Sequence, residues 1–391
     1  MRDYETAFNG LERPFAWLNF DALDENIAYV QKKCGDKQIR IATKSVRSIE
    51  MLHYIKKHLH NCSGFMTFTA SETVYLLEQG FDQILIGYPI FEEQAMEQIA
   101  QFVKQGRTVT FMVDDIYQAL LLQKIAHNVS TTLNICIDIN VSTDYKLLYF
   151  GTKRSPINSI GKLKRLVERV STLQNITVTA CMAYDAQLAG VTDNTDELFG
   201  LKSRLVRTLK KHSIEHVTAF RQQAVNYLQE KFSIEMVNAG GTGSMHLLYQ
   251  ASDITEITVG SAFFAPALFS QYEMLQLQPA TGFALRVTRK FAHNVIVCHG
   301  GGYIASGAPT EDRLPQFLEP DIYAYSSLEG AGEVQTPIIV KGRTHEIGDT
   351  IYFRHAKAGE LCERFNELHS VRNGVYNGVI TTYRGDGQCF L

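Results

Sequence analysis

Short runs of β-branched and other apolar residues alternate with longer amphipathic segments along the first two thirds of the chain. Apolar runs bounded by turn-forming residues are typical of strands. Several of these runs are almost continuously apolar, which is the pattern of strands buried on both faces of a parallel sheet. Eight runs predict strands, at Gln38–Lys44, Gly64–Thr69, Gln83–Tyr88, Thr108–Asp114, Thr132–Val141, Ile176–Tyr184, Glu235–Ala239 and Thr255–Gly260.

Apolar residues at spacings of three and four predict helices between these strands. Eight strands alternating with helices predict a protein of the α/β class with a (β/α)8 TIM barrel. The alternative is an open, doubly wound sheet with an additional unit. The predicted helices are Ser48–Leu59, Ser71–Glu78, Phe91–Lys104, Ile116–His127, Ile160–Leu173 and the stretch Asp196–Phe232, which is long enough for two helices.

The pattern changes after Gln271, where strand-like alternation and glycine-rich turns replace the helical segments. We therefore predict a barrel domain at residues 14–272, followed by a smaller, mostly β domain at residues 273–391 that is joined by residues 1–13. Residues 11–20 predict a further strand, before the first helix Asp21–Cys34, and this strand is also a candidate for the β domain. The β-domain strands are predicted at Phe283–Thr288, Asn294–Cys298, Ile338–Val340 and Thr350–Phe353.

The composition of the 391-residue chain is that of an ordinary globular protein, with 45% hydrophobic and 20% charged residues. A net charge of −3 gives no basic excess to neutralise phosphates, so nucleic acid is not an expected partner. No apolar run has the length of a membrane span, and the N-terminus lacks the apolar core of a signal peptide. The seven cysteines are scattered without a Cys-x-x-Cys pair, which predicts reduced thiols in a cytoplasmic protein.

Lys44 comes directly after the apolar residues of the first predicted barrel strand. A residue in this position lies at the C-terminal rim of the barrel, where active sites of this fold are built. A lysine there is a candidate amine nucleophile. On position alone, a surface lysine at a strand end is the simpler interpretation.

Two glycine-bearing turns follow the seventh and eighth predicted strands. The loops after these two strands are the usual phosphate site of the barrel, because backbone N–H groups in such turns face an anion. Each turn alone is also explained as an ordinary tight turn, but both together with Lys44 suggest pyridoxal phosphate, whose aldehyde forms a Schiff base with a lysine. The residues of the two turns that we expect to bind the phosphate are Gly241, Thr242, Gly243, Gly260 and Ser261, with Ser244 as a further hydroxyl donor.

The segments Arg13–Asp21 and Ala42–Lys44 resemble the fold-type III pyridoxal-phosphate enzymes, which include alanine racemase, D-threonine aldolase and D-serine dehydratase. The segments Ala183–Gln187 and Gly240–Ser244, together with His355, resemble the aldolase and dehydratase branch. The resemblance covers nearly the whole chain.

This resemblance implies that Lys44 carries the cofactor and that Tyr184 lies near the cofactor ring. It also implies an N-terminal barrel, a β domain after it, and a homodimer with the active site near the subunit interface.

The chain departs from the family pattern in the β domain. Metal-dependent members pair a histidine with a cysteine or aspartate two residues later, whereas here Lys357 follows His355 at that spacing. A protonated lysine has no lone pair for a cation. Either a metal binds through His355 with Glu360 or Cys362, or the Lys357 ammonium takes the place of the metal charge. We favour the second interpretation and treat His355 and Lys357 as candidate catalytic residues.

Other polar residues are candidates for contact with a substrate. Arg154 is a candidate for binding a carboxylate, and a solvated charge is an equally good explanation of it. His299 is a candidate proton-transfer group, although a lone histidine after a strand is more often structural. The candidate substrate-binding residues are Gln187, His299, Tyr303, Glu333 and Gln335.

The leading hypothesis is a lyase that acts on a small D-configured β-hydroxy amino acid, either by retro-aldol cleavage or by dehydration and deamination. A racemase of the same fold is the first alternative, with Tyr303 as the candidate opposing acid. A non-catalytic pyridoxal-phosphate carrier and a cofactor-free lysine aldolase acting on a sugar phosphate are further alternatives.

Overall fold

The structure is a computed structural model that describes residues 2–145, 148–194, 200–308 and 310–391, with side chains from residue 4 onward. Strands and helices are numbered below in chain order. The predicted (β/α)8 barrel and the following β domain are both confirmed.

Eight parallel strands close into the barrel in the order β10-β11-β2-β3-β4-β5-β6-β9. The first barrel strand in the chain, β2, therefore pairs with the last, β11. The register places Ile39 beside Ile257 and Ile41 beside Val259. All eight predicted strands are present. Their observed bounds are β2 Gln38–Ala42, β3 Cys62–Thr67, β4 Ile84–Ile86, β5 Val109–Val113, β6 Leu133–Asp138, β9 Ile176–Ala183, β10 Met236–Ala239 and β11 Glu256–Val259.

Helices surround the barrel, and short polar side chains cap several of their N-termini. Ser48, Thr69 and Ser159 each accept a hydrogen bond from a backbone N–H of the first turn, which is the usual role of an N-cap residue. The helices are α1 Arg2–Ala7, α2 Phe20–Cys34, α3 Ile49–His58, α4 Ala70–Glu78, α5 Glu93–Lys104, α6 Ile116–Val129, α7 Ile160–Val170, α8 Ala186–Ala189, α9 Leu201–Lys231, α10 Met245–Leu248 and α11 Ser261–Phe264.

The stretch predicted as one or two helices forms the single 31-residue helix α9. The predicted start at Asp196 lies outside the described residues, and the described helix begins at Leu201. None of the helices among the described residues is both long and apolar enough to cross a membrane.

A nine-stranded sheet forms the second domain. Its main path is β15-β16-β13-β12-β1-β18-β19, and β17 pairs with β12 and β14 beside this path. The strands are β1 Phe15–Asn19, β12 Thr281–Ala292, β13 Val295–His299, β14 Gln316–Phe317, β15 Tyr323–Tyr325, β16 Gln335–Val340, β17 Thr350–Arg354, β18 Glu367–Arg372 and β19 Val375–Thr381, and the short strands β7 Thr143–Asp144 and β8 Tyr149–Phe150 form a separate pair.

Strand β1 lies between β12 and β18 in this sheet, with Ala16 opposite both Phe283 and Leu368. A barrel domain that starts at residue 14 would include this strand. Its hydrogen bonds instead place residues 15–19 in the β domain, and the chain enters the barrel through α2. The alternation of residues 11–20 could not by itself distinguish the two sheets, because both use half-buried and fully buried strands.

The barrel interior contains a charged pair that the sequence pattern did not reveal. Arg40 Nε and Glu256 Oε1 lie 2.7 Å apart, and both side chains are almost fully buried. Asn238 Nδ2 donates to the same carboxylate at 2.6 Å. Buried charges are tolerated only when they are paired and hydrogen-bonded, and this network meets that requirement.

Candidate functional site

Lys44 lies on a turn at the C-terminal rim of the barrel, as its place in the sequence predicts. Strand β2 ends at Ala42, and residues 43–45 form one turn of 3-10 helix. The Thr43 hydroxyl donates to the Met66 carbonyl at 2.9 Å, and Arg47 Nε donates to the Lys44 carbonyl at 2.9 Å. These bonds fix the backbone on both sides of Lys44, while its side chain is exposed in the barrel mouth.

The Lys44 ammonium has a tyrosine partner that the sequence analysis did not identify. Lys44 Nζ donates a hydrogen bond to the Tyr88 hydroxyl at 2.8 Å. The guanidinium of Arg154 lies over the ring of Tyr88 and over the ring of Tyr184, 5.4 Å and 5.6 Å from the two centroids. The barrel mouth therefore brings together four side chains, Lys44, Tyr88, Arg154 and Tyr184. The only sequence signal for Tyr88 was its position directly after the third barrel strand.

Arg154 is held by a buried carboxylate. Its Nε donates to Asp138 Oδ2 at 2.9 Å, and Asp138 is 1% exposed at the end of β6. Burial raises the pKa of Asp138 to about 6, although the Arg154 charge and hydrogen bond oppose the shift. Arg154 is therefore an anchored cation in the mouth, and the interpretation of a freely solvated charge was wrong.

Tyr184, which the resemblance places near the cofactor ring, lies against the glycine turn in the structure. A side-chain atom added at Gly241 would lie 3.5 Å from Tyr184 Cε2. Burial, with the charge of Asp185, raises the pKa of Tyr184 to about 12. Tyr184 is therefore a neutral phenol that bounds the mouth on the side of the glycine turn.

The glycine turn after β10 is packed too tightly for larger residues. A Cβ at Gly243 would lie 2.3 Å from the Ala189 carbonyl oxygen and 2.6 Å from Tyr272 Cε1. The backbone at Gly240 has a φ of +79°, in the left-handed region that glycine adopts without strain. Glycine at these positions lets the turn pack directly against Ala189 and Tyr272.

The turns after β10 and β11 are bonded to each other and to the Lys44 turn. The Thr242 hydroxyl accepts a hydrogen bond from the Ala262 N–H at 3.0 Å. The hydroxyls of Ser261 and Ser45 lie 3.3 Å apart. A Cβ at Gly260 would lie 2.8 Å from Ala42 Cβ. The three segments that the sequence analysis combined are thus neighbours in the structure.

Ser244 does not face the mouth as a donor, which corrects its predicted role. Its hydroxyl donates to Asp185 Oδ1 at 3.1 Å and accepts from the Gly241 N–H at 3.3 Å. Both Ser244 and Asp185 are fully buried. The Ser244 hydroxyl therefore stabilises the glycine turn from its buried side.

Gln187 is also turned into the interior. It is fully buried, and its Nε2 donates to the Val141 carbonyl at 2.8 Å and to the Ser213 hydroxyl at 3.1 Å. These contacts join α8 to α9. They give Gln187 a structural role, and the structure does not bring it to the group around Lys44.

A fully buried carboxyl lies beneath the Lys44 turn. Glu72 accepts hydrogen bonds from the Phe68 N–H at 2.9 Å and from the Tyr383 hydroxyl at 3.2 Å. Burial raises the pKa of Glu72 to about 7, against the hydrogen bonds from Thr43, Phe68 and Tyr383. Tyr383 belongs to the C-terminal segment, so this contact joins the end of the chain to the barrel rim.

His355 and Lys357 lie together in a cleft of about 600 Å³ on the β-domain side of the Lys44 turn. His355 is 3% exposed, its Nδ1 lies 3.1 Å from the Thr281 carbonyl, and its Nε2 has no hydrogen-bond partner among the described residues. The Lys357 ammonium donates to the Ser306 hydroxyl at 2.9 Å. The pairing of the two residues in one cleft agrees with their assignment to one site.

The cleft adjoins the backbone of Lys44 but not its ammonium. A Cβ at Gly359 would lie 1.9 Å from the Lys44 carbonyl oxygen, so the loop that follows Lys357 packs directly on the Lys44 turn. Arg47 lines the cleft, whereas Lys44 and Tyr88 do not. A single chain therefore presents two adjacent polar groups, one in the barrel mouth and one in this cleft.

Only some of the remaining candidate residues of the β domain line the clefts. Tyr303 lines the cleft with Lys357 and also a neighbouring cleft of about 290 Å³ that Glu333 shares. His299 and Gln335 are exposed residues on one rung of β13 and β16, and they line neither of these clefts. Tyr303 and Glu333 thus lie with the cleft residues, while His299 and Gln335 do not.

The comparisons with known proteins agree with this fold. The sequence profile described as "Alanine racemase, N-terminal domain" matches residues 18–266. A curated protein named 3-hydroxy-D-aspartate aldolase, from Paracoccus denitrificans strain Pd 1222, is 23% identical over 264 residues. The match covers 66% of this chain and 61% of that protein, so the chain matches somewhat less than two thirds of the relative's length.

Solved structures share the whole architecture. D-threonine aldolase from Filomicrobium marinum superposes with a TM-score of 0.81 at 17% identity, over 97% of this chain and 96% of that one. D-threo-3-hydroxyaspartate dehydratase from Delftia sp. HT23 gives a TM-score of 0.75 at 14% identity, over 96% of this chain and 98% of that one. A mutant of D-threo-3-hydroxyaspartate dehydratase in the metal-free form gives 0.74 at 14% identity, over 96% and 98% of the two chains.

Proposed function

Since this chain belongs to the alanine racemase N-terminal domain family, we propose that it is a pyridoxal-phosphate-dependent lyase acting on a small D-configured β-hydroxy amino acid. The observation that carries the proposal is the meeting of Lys44, Arg154 and Tyr184 with the two glycine turns in one barrel mouth. The names of the similar proteins, 3-hydroxy-D-aspartate aldolase and D-threonine aldolase, support the choice of substrate.

The residues of the mouth fit pyridoxal phosphate. An amine on the rim, at Lys44, suits the aldehyde of the cofactor, and a crowded glycine turn suits its phosphate because backbone N–H groups reach the anion without steric hindrance. The hydroxyls of Thr242 and Ser261, which lie where the two turns meet, add hydrogen-bond capacity. When bound, the cofactor supplies an electron sink for the bond that breaks at the substrate.

The side chains around the mouth have distinct tasks in this proposal. Lys44 would hold the cofactor through its side-chain amine, and the same amine would be the group placed to hold or move a proton. Arg154, fixed by Asp138, presents a permanent cation to a phenolate or carboxylate. Tyr184 bounds the mouth as a neutral ring beside the glycine turn.

The β-domain cleft does not fit a divalent metal. Among the residues that the structure describes, no group of three or more His, Cys, Asp or Glu side chains is arranged to hold an ion. The position two residues after His355 is occupied by Lys357, a donor that cannot ligate. Glu360, the nearest carboxylate, already accepts from Ser306 N–H at 3.0 Å and lies 3.8 Å from the Lys357 ammonium. We therefore assign no step to a metal.

In place of a metal, the Lys357 ammonium and the free Nε2 of His355 are the groups that we assign to the substrate hydroxyl. Because the cleft and the barrel mouth are separate in one chain, we propose a homodimer with the site near the subunit interface. The free cysteines support a reducing, cytoplasmic location as part of the same proposal.

The proposal is tested by incubating the purified protein with D-threonine, D-3-hydroxyaspartate and D-serine. Aldol cleavage yields an aldehyde and glycine, and dehydration with deamination yields a keto acid and ammonia. Interconversion of enantiomers without either product would instead support a racemase, for which Tyr303 is the available phenol in the cleft. Absence of reaction across D- and L-amino acids with pyridoxal phosphate bound would support a carrier.

A further inference from the structure

Contacts of the preceding residue, Gly87, fix the backbone that leads into Tyr88. The preceding Gly87 donates its N–H to the Thr67 carbonyl at 2.9 Å and accepts from Arg154 at 3.2 Å. A Cβ at Gly87 would lie 2.9 Å from Met66 Cγ, so this close approach depends on glycine. Tyr88 itself is 38% exposed and faces the open mouth.

The phenol of Tyr88 lies between two cations. Its oxygen accepts a hydrogen bond from the Lys44 ammonium at 2.8 Å. The Arg154 guanidinium lies over its ring, 5.4 Å from the ring centroid. Burial raises the pKa of Tyr88, but the charge and hydrogen bond of Lys44 and the charge of Arg154 outweigh burial, so the pKa is lowered from 10. The charges that face this phenol are Lys44, Arg154 and, more weakly, the carboxylate Asp138.

Tyr184 is an internal comparison for Tyr88. Both rings contact the same Arg154 guanidinium, but the pKa of Tyr184 is raised to about 12 by burial and by Asp185. Tyr184 is the more deeply buried ring, and of the two only Tyr88 accepts a hydrogen bond from Lys44. The environment thus lowers the pKa of one phenol and raises the pKa of its neighbour.

We propose that Tyr88 is a catalytic residue that exchanges a proton with Lys44 Nζ and so controls when Lys44 is a neutral amine. The inference rests on the proposed function, since it concerns the lysine that carries the cofactor.

Tyr88, which is open to solvent, first releases its own proton to water; the transfer that follows involves two atoms of the chain and no further reactant. When Tyr88 is a phenolate, the N–H bond of the Lys44 ammonium breaks and an O–H bond forms on Tyr88. The pair then consists of a neutral amine and a neutral phenol, with the same total number of protons. The amine lone pair is available to attack an aldehyde, and the reverse transfer recharges Lys44 when it is freed. General acid–base partners of this kind act over hydrogen-bond distance, which the 2.8 Å contact satisfies.

The test measures how fast the protein, stripped of cofactor, attaches pyridoxal phosphate to Lys44 across the pH range. Tyr88→Phe keeps the ring beneath Arg154 and removes only the hydroxyl. We expect attachment at neutral pH to be slower by roughly tenfold to a hundredfold, with the whole profile shifted to higher pH, because Lys44 must then lose its proton to water. Lyase turnover should fall with it, while the KM changes little.

A second substitution gives the opposite shift. Replacing Tyr88 by 3-fluorotyrosine lowers the phenol's pKa and should move the attachment profile to lower pH, which a purely structural role for the ring would not do. Tyr249→Phe is the matched control, because Tyr249 is 46% exposed and packs beside Gly35 at the opposite end of the barrel. It should leave the profile unchanged.

The two claims fail in different ways. If the wild-type protein attaches no pyridoxal phosphate and cleaves no amino acid, the proposed function is wrong. If the wild type does both and Tyr88→Phe keeps the wild-type pH profile, the proposed function stands and the role of Tyr88 is refuted.

Discussion

The ammonium of Lys357 and the hydroxyl of Ser306 are joined by a hydrogen bond of 2.9 Å, at the position where metal-dependent members of the family carry a ligand. The buried imidazole of His355 lies in the same cleft, and its Nε2 has no hydrogen-bond partner in the described part of the chain. In our proposal, the Lys357 ammonium takes the place of the metal charge. Of the two ligand positions that the family pattern predicts, one is His355 and the other is occupied by Lys357.

Lys357→Asp should create a metal site. The substitution removes the ammonium and supplies a carboxylate two residues after His355, the spacing that the metal-dependent members use. We expect Zn²⁺ or Mn²⁺ to bind to the variant in a calorimetric titration, whereas the wild type shows no binding heat and keeps its activity in a chelator. The control Lys341→Asp changes an exposed lysine of the same domain and should bind no metal. Metal-dependent activity of the wild type would contradict this account.

Gly243→Ala should weaken cofactor binding. Its Cβ would lie 2.3 Å from the Ala189 carbonyl oxygen, so the turn must move away from the mouth. We expect the affinity for pyridoxal phosphate, measured by absorbance titration, to fall by about tenfold or more. The overpacking should also cost about 1–3 kcal/mol of unfolding free energy.

Gly161→Ala is the control for this substitution, since the nearest atom to its Cβ would be 3.9 Å away in helix α7. It should leave cofactor affinity unchanged and stabilise the helix slightly. Equal affinities for pyridoxal phosphate in the wild type and in Gly243→Ala would show that this turn does not hold the phosphate.

Glu72→Gln should flatten the dependence of stability on pH. Burial raises the pKa of Glu72 to about 7 from 4.5, so the folded protein binds the extra proton between these values. The resulting stabilisation is fully present below pH 4.5 and is lost as pH rises through about 7. On the order of 1–3 kcal/mol of the fall in unfolding free energy between pH 5 and 8 should disappear in the variant.

Urea unfolding at several pH values measures this slope. Glu93→Gln, at a carboxylate in an exposed ion pair with Lys124, should retain the wild-type slope. An identical pH dependence in Glu72→Gln and the wild type would mean that Glu72 is ionised at neutral pH in the folded protein.

The fold was predictable because its main signals are local. The eight apolar runs and their alternation with helical segments favour a closed parallel barrel, and no observed barrel strand extends more than two residues beyond its predicted run. Strand β1 was harder to place. Its own alternation fits either domain, and only pairing with β12 and β18, far away in the sequence, decides the matter.

The grouping of the candidate site residues was predictable where a glycine or a lysine follows the end of a barrel strand. Lys44, Gly243 and Gly260 follow strand ends, so the barrel topology brings them together. Tyr88 could not be identified because its significance comes from a hydrogen bond to a residue 44 positions away. Gln187 was assigned to the substrate as part of the segment Ala183–Gln187, which resembles the aldolase and dehydratase branch, but its side chain turns inward to Ser213, a direction that the sequence does not encode.

The central claim is that Lys44 carries pyridoxal phosphate, and borohydride trapping tests it most directly. The holoprotein is reduced, digested and examined by mass spectrometry for the added pyridoxyl group. The account predicts modification of the peptide that contains Lys44, with loss of visible absorbance, and no such modification in Lys44→Ala. A pyridoxyl group on another lysine, or absorbance that survives in Lys44→Ala, would contradict it.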